Sequence, residues 1–357
     1  MKARMFVTAL ALSVSVVATA ASSAGAATLN GGGATFSQPI WQQLGATLKS
    51  KVTLNYAGVG SGAGVTQFAN GTIDFAGSDP PLTDSQIGLV QKSGGPVVHV
   101  PIAFGAITLS YNLNGVKGGL KLDGPAIANI YLGKIKTWDN EALKKLNPKV
   151  NLPGTNIRVC RRSESSGTTA GFTTYLSQVS PEWVRVAGAP GNTAKWPVGS
   201  GAQGNAGVAA CVKQSEGGIG YVEQAFAIKN RFTYAAVKNK KKQFIYPKLG
   251  ATSLGASGLK VQKSLRFTSI NSPVKGAYPI VSQTFMVNHR NICGQKGVDA
   301  SKAAAIVGLI NYIYSKQGTS LLHKLFYAEV PSDLKKKVAV QVRTFTCNGK
   351  KIKAQKF

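Results

Sequence analysis

Acidic side chains are scarce in this chain: 13 Asp and Glu stand against 42 Lys and Arg, and only three histidines accompany them. A hydrolytic metal centre needs several carboxylates and imidazoles close together. Here the few acids are dispersed, and His99, His289 and His323 lie far apart in apolar or helical contexts that suit structural histidines. No CxxC pair occurs among the four cysteines, which argues against a zinc site or a dithiol redox centre. A nucleophile elbow is also missing. It needs glycines two residues before and two after the serine, but Ser61 has Val59 and Ala63 there, and Ser166 has Glu164 and Thr168. Beyond the N-terminus no apolar run approaches the roughly 20 residues that span a bilayer. Internal repeats and low-complexity linkers are absent too. Catalysis therefore has no evident machinery, and no cofactor is expected.

What is present describes an exported globular protein. The 357 residues suffice for two ordinary domains, and 43% are hydrophobic. Residues 1–26 read as a signal peptide, with Lys2 and Arg4, an apolar run from Phe6 to Ala18, and Ala24-Gly25-Ala26 for cleavage. No cysteine follows that run, so no lipid anchor is expected, and the destination is the periplasm, the cell wall or the exterior. In such an oxidising setting the four cysteines should pair. Of three possible pairings, Cys160–Cys211 with Cys293–Cys347 is favoured, because each bond then stays within one half of the chain. The formal charge of +29 gathers at Lys238–Lys242, Lys335–Lys337 and Lys350–Lys356. Solvated surface is the first reading of these clusters and attraction to an anionic envelope the second. Nucleic acid ranks last, for want of interleaved aromatics that could stack bases.

Short apolar strands alternate with helical patterns, the mark of an α/β fold. Val52, Leu54 and Tyr56 alternate as a strand, followed by a helix through Val65 and Phe68. Residues 97–100 and 102–111 read as two buried strands, and 125–147 as two helices. Residues 157–160 and 285–287 read as further strands, 238–242 as an exposed basic hairpin, and 303–322 as one helix.

Three segments share one design. Gly31-Gly32-Gly33-Ala34-Thr35-Phe36, the turn Gly58–Gly64 around Ser61, and Ser166-Gly167-Thr168 each lead into a helix. Helix N-termini present unpaired N–H groups and partial positive charge; hydroxyls add donors and glycine permits close approach. One such turn is most simply a cap. Three in one chain, with Arg161 and Arg162 just before the last, point to a small oxyanion. Gly58-x-Gly60-x-x-Ala63 also fits a loose dinucleotide fingerprint with Asp79 downstream, but Asp79 sits in a Ser-Asp-Pro-Pro turn and export disfavours a nicotinamide enzyme. Asp79 has two readings. Either it caps its own turn before Pro80, or it faces the anion, where it would tolerate only one that carries a proton, as hydrogen phosphate does and sulfate does not.

Several motifs in order resemble one family. They are Gly33-Ala34-Thr35-Phe36, Tyr56–Ser61, Asp74–Asp79, Ile130–Trp138, Arg161–Thr168, Gly204–Val208 and Gly218–Glu223. The family is that of the phosphate-binding receptors of phosphate-specific (Pst) ABC transporters. The resemblance implies that Thr35, Phe36, Ser61, Asp79, Arg162, Ser166, Gly167 and Thr168 bind phosphate, with Asp79 accepting its proton and Glu164 holding Arg162. It implies a two-lobed periplasmic-binding-protein-like α/β fold (type II), each lobe a mostly parallel sheet flanked by helices. Lobe I would comprise 27–108 and 278–357, lobe II 109–277, with the ligand in the cleft between them. The implied partners are hydrogen phosphate and the membrane permease of an ABC importer, engaged by a monomer. Departures are Glu where Asp is usual at 164, the high basicity, and a shortened segment after Phe232. An extracellular phosphoester hydrolase on a similar scaffold is the rival reading.

Overall fold

Alternating apolar residues in Val52–Gly58 and the small residues of Ala27–Gly33 build a parallel pair, to which Phe75–Ser78 adds on the other side. These coordinates are a computed structural model and describe residues 26–357. The export signal read over residues 1–26 therefore lies, but for Ala26, outside the described residues. The main sheet continues past Phe75–Ser78 with Val281–His289, Val97–Asn112, Gly218–Glu223, Arg158–Arg162 and Ser200–Ala202. Val281–His289 runs antiparallel to both neighbours, while the last three strands are parallel to one another. Helices alternate with these strands along the chain, giving the mixed α/β architecture that the family resemblance implied.

One strand belongs to both halves of the sheet. Val97–Asn112 pairs with Val281–His289 through Ala106, then with Gly218–Glu223 from Ile107 onward. Two strands separated at Pro101 were expected; a single strand of 16 residues is found. Proline has no N–H for the ladder, but its fixed φ is compatible with an extended chain. The register shift between Thr284 and Phe285 falls opposite Pro101 and takes up the mismatch. Nearly the whole strand is buried, so it forms the spine of the core.

A second expectation is corrected in the same way. Residues 303–322 are not one helix but parts of two, Ala300–Tyr314 and Lys316–Lys324. Ser315 is extended, and its hydroxyl accepts a hydrogen bond from the Gly318 N–H at 3.1 Å. The apolar period runs through the break, but the serine caps a new helix there. Both helices expected within 125–147 form, as Gly124–Tyr131 and Glu141–Leu146, capped by Asp123 and Asn140. The basic hairpin forms as well, Ala236–Lys238 against Phe244–Ile245, with Lys240, Lys241 and Lys242 exposed.

Both favoured disulfides are present. Cys160–Cys211 ties the strand Arg158–Arg162 to the helix Gly204–Gln214, and Cys293–Cys347 ties the turn after Val281–His289 to the C-terminal hairpin. Each closes a loop of about fifty residues, which in the chain-entropy account stabilises by about 4 kcal/mol. Among the described residues no helix is long and apolar enough to cross a membrane.

Candidate functional site

The parallel strands Ala27–Gly33, Val52–Gly58 and Phe75–Ser78 deliver their following turns to one edge of the sheet. Close backbone contact forces glycine at those turns. A Cβ on Gly33 (φ 135°) would lie 2.1 Å from the Gly77 carbonyl oxygen, and one on Gly64 would lie 2.3 Å from the Gly33 Cα. Thr35, Phe36, Ser61 and Asp79 are thereby gathered in a small buried region, where the Asp79 N–H donates to Ser61 Oγ at 3.3 Å. The Phe36 ring is wholly buried against Tyr327, so its backbone, not its side chain, faces the site.

From the other half of the molecule, Arg158–Arg162 leads into the turn before helix Gly167–Val179. Beneath lies an aromatic cluster, in which the Tyr221 ring stacks on Phe172 at 4.4 Å and on Trp196 at 5.8 Å. The Tyr221 hydroxyl accepts from the Arg162 N–H at 3.1 Å and pairs with Thr169 Oγ1 at 2.7 Å, setting strand against helix. Arg162 is 2% exposed. Its Nε donates to Glu164 Oε1 at 2.8 Å, its Nη2 also to Glu164, and its Nη1 to Thr168 Oγ1 at 3.1 Å. Of five guanidinium N–H groups two thus remain free for a ligand. Burial acts to raise the Glu164 carboxyl, but the Arg162 hydrogen bond and charge, with the Gly204 N–H, hold it below the ordinary range. The buried cation is therefore paired, as a desolvated charge must be.

The two halves meet. A Cβ on Gly167 would sit 2.3 Å from Ser61 Oγ and 2.4 Å from Asp79 Oδ2, so the start of that helix lies directly against both. The Gly62 N–H donates to the Ser165 carbonyl at 3.2 Å, across from the opposite half. Ser166 caps its helix as the simple reading expected, its hydroxyl accepting from the Thr169 N–H at 3.1 Å. That capping leaves the Gly167 and Thr168 N–H groups without an acceptor among the described residues. The backbone N–H groups of Phe36 and Ser61 are in the same position. All eight residues singled out from sequence, with Glu164, are thus in one cluster.

The Asp79 carboxylate accepts no hydrogen bond from its own turn among the described residues, so the turn-cap reading is not met. Asp79 Oδ1 accepts from Thr284 Oγ1 at 2.8 Å and its backbone carbonyl from Gln283 Nε2 at 2.8 Å, so the residue is held from below by the strand Val281–His289. The Oδ2 atom is buried and has no hydrogen-bond partner. Burial raises the carboxyl from its ordinary 3.8 to about 7, against the lowering effects of Thr284 and Arg162. A carboxylate oxygen aimed among N–H and hydroxyl donors suits a tetrahedral anion that still carries a proton. The three histidines lie elsewhere. His99 accepts from the Leu82 N–H, His289 stacks on Phe68, and His323 meets Glu329.

Sequence reasoning missed the supports. Thr284 and Gln283 carry no local signal among the mixed polar and apolar residues of the buried strand Val281–His289. Asn205 lies inside the motif Gly204–Val208 and was given no role. It is completely buried, and its amide touches both Thr35 and Thr168. An asparagine at the second position of a helix start was the available sign.

Comparison with known proteins fits this geometry. A family model described as a PBP superfamily domain matches residues 18–317. The chain is 34% identical over 315 residues to the phosphate-binding protein PstS of Xylella fastidiosa strain Temecula1, covering 87% of this chain and 83% of that protein. It is 34% identical over 325 residues to the PstS of Pasteurella multocida, covering 89% and 91% respectively. In fold it is similar to the crystal structure of the phosphate-binding protein from Stenotrophomonas maltophilia, with a TM-score of 0.68, 20% identity, and coverage of 88% of this chain and 93% of that one.

Proposed function

The chain belongs to the phosphate-binding proteins PstS of the PBP superfamily, and we propose that it is an exported receptor that binds inorganic phosphate and delivers it to an ABC-type importer. It is a binding protein, not an enzyme. The observation that carries the reading is Asp79 Oδ2, buried without a partner and in contact with the donor-rich start of helix Gly167–Val179. Hydrogen phosphate can give this oxygen its proton while its other oxygens accept from Arg162, the free N–H groups and the hydroxyls of Thr35, Ser61 and Thr168. Sulfate has no proton to give, so it meets an ionised Asp79 with an unmet hydrogen bond and a repulsive charge.

The division into lobe I, residues 27–108 and 278–357, and lobe II, residues 109–277, is part of the same proposal. It puts Thr35, Phe36, Ser61 and Asp79 on one lobe and Arg162 with Ser166–Thr168 on the other. The chain would then cross between lobes near Ile107 and Ile280, which are hydrogen-bonded to each other. An anion that touches both lobes favours their closed arrangement by its differential contacts. The receptor would act as a monomer and present its closed form to the membrane permease. Its basic surface would hold it near an anionic envelope.

Calorimetric titration with phosphate, sulfate and arsenate tests the assignment. At pH 8, saturable binding of phosphate with no heat from sulfate is expected; absence of phosphate binding contradicts it. Turnover of a chromogenic phosphoester would instead favour a hydrolase.

A further inference from the structure

Among the described residues, Asn205 is the one side chain that hydrogen-bonds to site residues from both halves of the molecule. It is the second residue of helix Gly204–Gln214 and has no exposed surface. The helix enters through Gly204 at φ 68°, a left-handed conformation that suits glycine. The Gly204 N–H donates to Glu164 and the Asn205 N–H to Thr35 Oγ1, so this helix start is fastened to the site at two successive residues.

The orientation of the Asn205 amide follows from its partners. Its Oδ1 accepts the backbone N–H of Glu223 at 2.9 Å, which a flipped amide could not do. Its Nδ2 therefore faces the two hydroxyls, 3.0 Å from Thr35 Oγ1 and 3.1 Å from Thr168 Oγ1. Each hydroxyl offers two lone pairs and one proton. Thr35 Oγ1 receives the Asn205 N–H at 3.3 Å and the Asn205 Nδ2; Thr168 Oγ1 receives the Asn205 Nδ2 and the Arg162 Nη1 at 3.1 Å. Every one of these partners can only donate. With both lone pairs filled, each hydroxyl can act toward a further group only as a donor, and neither proton has a protein acceptor among the described residues.

We propose that Asn205 is a positioning residue that turns the Thr35 and Thr168 hydroxyl protons toward the bound anion, one from each half of the molecule. The inference rests on the phosphate-receptor reading and deepens it. A hydroxyl left free to rotate would present a lone pair to the anion for part of the time; Asn205 removes that alternative before the ligand arrives. Because its two N–H groups reach residues on opposite halves, the arrangement is complete only where the halves meet. Donor orientation and closure are then one event.

A double-mutant cycle on the phosphate dissociation constant tests this, with Asn205→Ala, Thr35→Val and the double variant compared with the wild-type chain. Each single change is expected to weaken binding on the order of 10- to 100-fold. If Asn205 acts through the hydroxyl, the double variant loses at least about threefold less than the product of the single losses. Losses that simply multiply would overturn the positioning role. A purely structural Asn205 lowers the melting temperature without phosphate and shows no such coupling. Should Asn205→Ala fail to fold, the near-isosteric Asn205→Asp enters the same cycle. It keeps the bond from Glu223 but accepts hydroxyl protons where Asn205 donates, so its loss is again expected to be smaller when Thr35 is already Val. Failure of the wild-type chain to bind phosphate would remove the underlying reading, whereas normal wild-type binding with multiplicative losses removes only this inference.

Discussion

At the scale of single residues, the account turns on a carboxyl held near neutrality. In the ligand-free protein Asp79 takes up a proton below about pH 7. Its folded-state value lies above its unfolded one, so its favourable contribution is fully present below about pH 4 and is lost as the pH rises through about 7. Asp79→Asn removes that dependence. Without phosphate, the variant should gain stability relative to wild type between pH 5 and 8.5, as followed by thermal melts across that range. A fixed difference at every pH would mean that the carboxyl does not titrate there. The same proton bears on selectivity. A protonated Asp79 can donate to sulfate, so sulfate binding should emerge at pH 5.5 and vanish at 8.5, while Asp79→Asn binds it at both. Calorimetry at the two pH values reads this directly.

Gly167 makes a steric prediction at the same scale. A methyl group there would overlap Ser61 Oγ and Asp79 Oδ2, so Gly167→Ala must push the helix start away from the opposite half. Phosphate affinity should fall by at least about 100-fold, while overpacking costs about 1–3 kcal/mol in stability. Unchanged phosphate affinity would place the ligand elsewhere. These residues were readable from sequence because each belongs to a short motif with chemical meaning: a Gly-Thr helix start, an arginine pair, an aspartate before proline. Asn205 and Thr284 were not, since their importance lies in partners 170 and 205 residues away.

At the scale of elements, helix starts and alternating strands were legible, and the errors share a cause. The apolar pattern shows which face is buried but not whether the backbone continues. Pro101 looked like a strand break, yet a bulge beside it at Ile102, in its own strand, accommodates it; Ser315 looked like helix interior, yet its hydroxyl caps a new helix. Long-range pairing decides the first and a side-chain cap the second. Replacing Ser315 by Ala should cost about 1 kcal/mol, as a lost N-cap does, measured by denaturant unfolding. No change would show that the Ser315 hydroxyl does not hold the break. The disulfide Cys160–Cys211 braces the strand that ends in Arg162. Substituting both cysteines by Ser should lower stability by about 4 kcal/mol.

At the scale of the whole molecule, charge and topology act separately. Among the described residues none of the clustered lysines is hydrogen-bonded or ion-paired to a site residue. Lys336, Lys337, Lys350, Lys351 and Lys353 are exposed on the C-terminal helix and hairpin, and Lys240–Lys242 on the hairpin of the other half. Solvated surface, the first reading, describes them well, and an electrostatic hold on an anionic envelope would be screened by salt. Cells washed in high salt should then release the protein; retention at every ionic strength would mean that charge does not hold it. Topology does the rest, since strand Val97–Asn112 runs through both halves of the sheet while the site residues converge from either side. The chain order of motifs pointed to this architecture, but no local pattern could show that the two sides meet at Gly167.

The most direct test of the central claim is a pair of calorimetric titrations of the mature protein at pH 8, one with phosphate and one with sulfate. The account predicts saturable one-to-one binding of phosphate and no detectable heat from sulfate. Equal binding of the two anions, or no binding of phosphate, would contradict it.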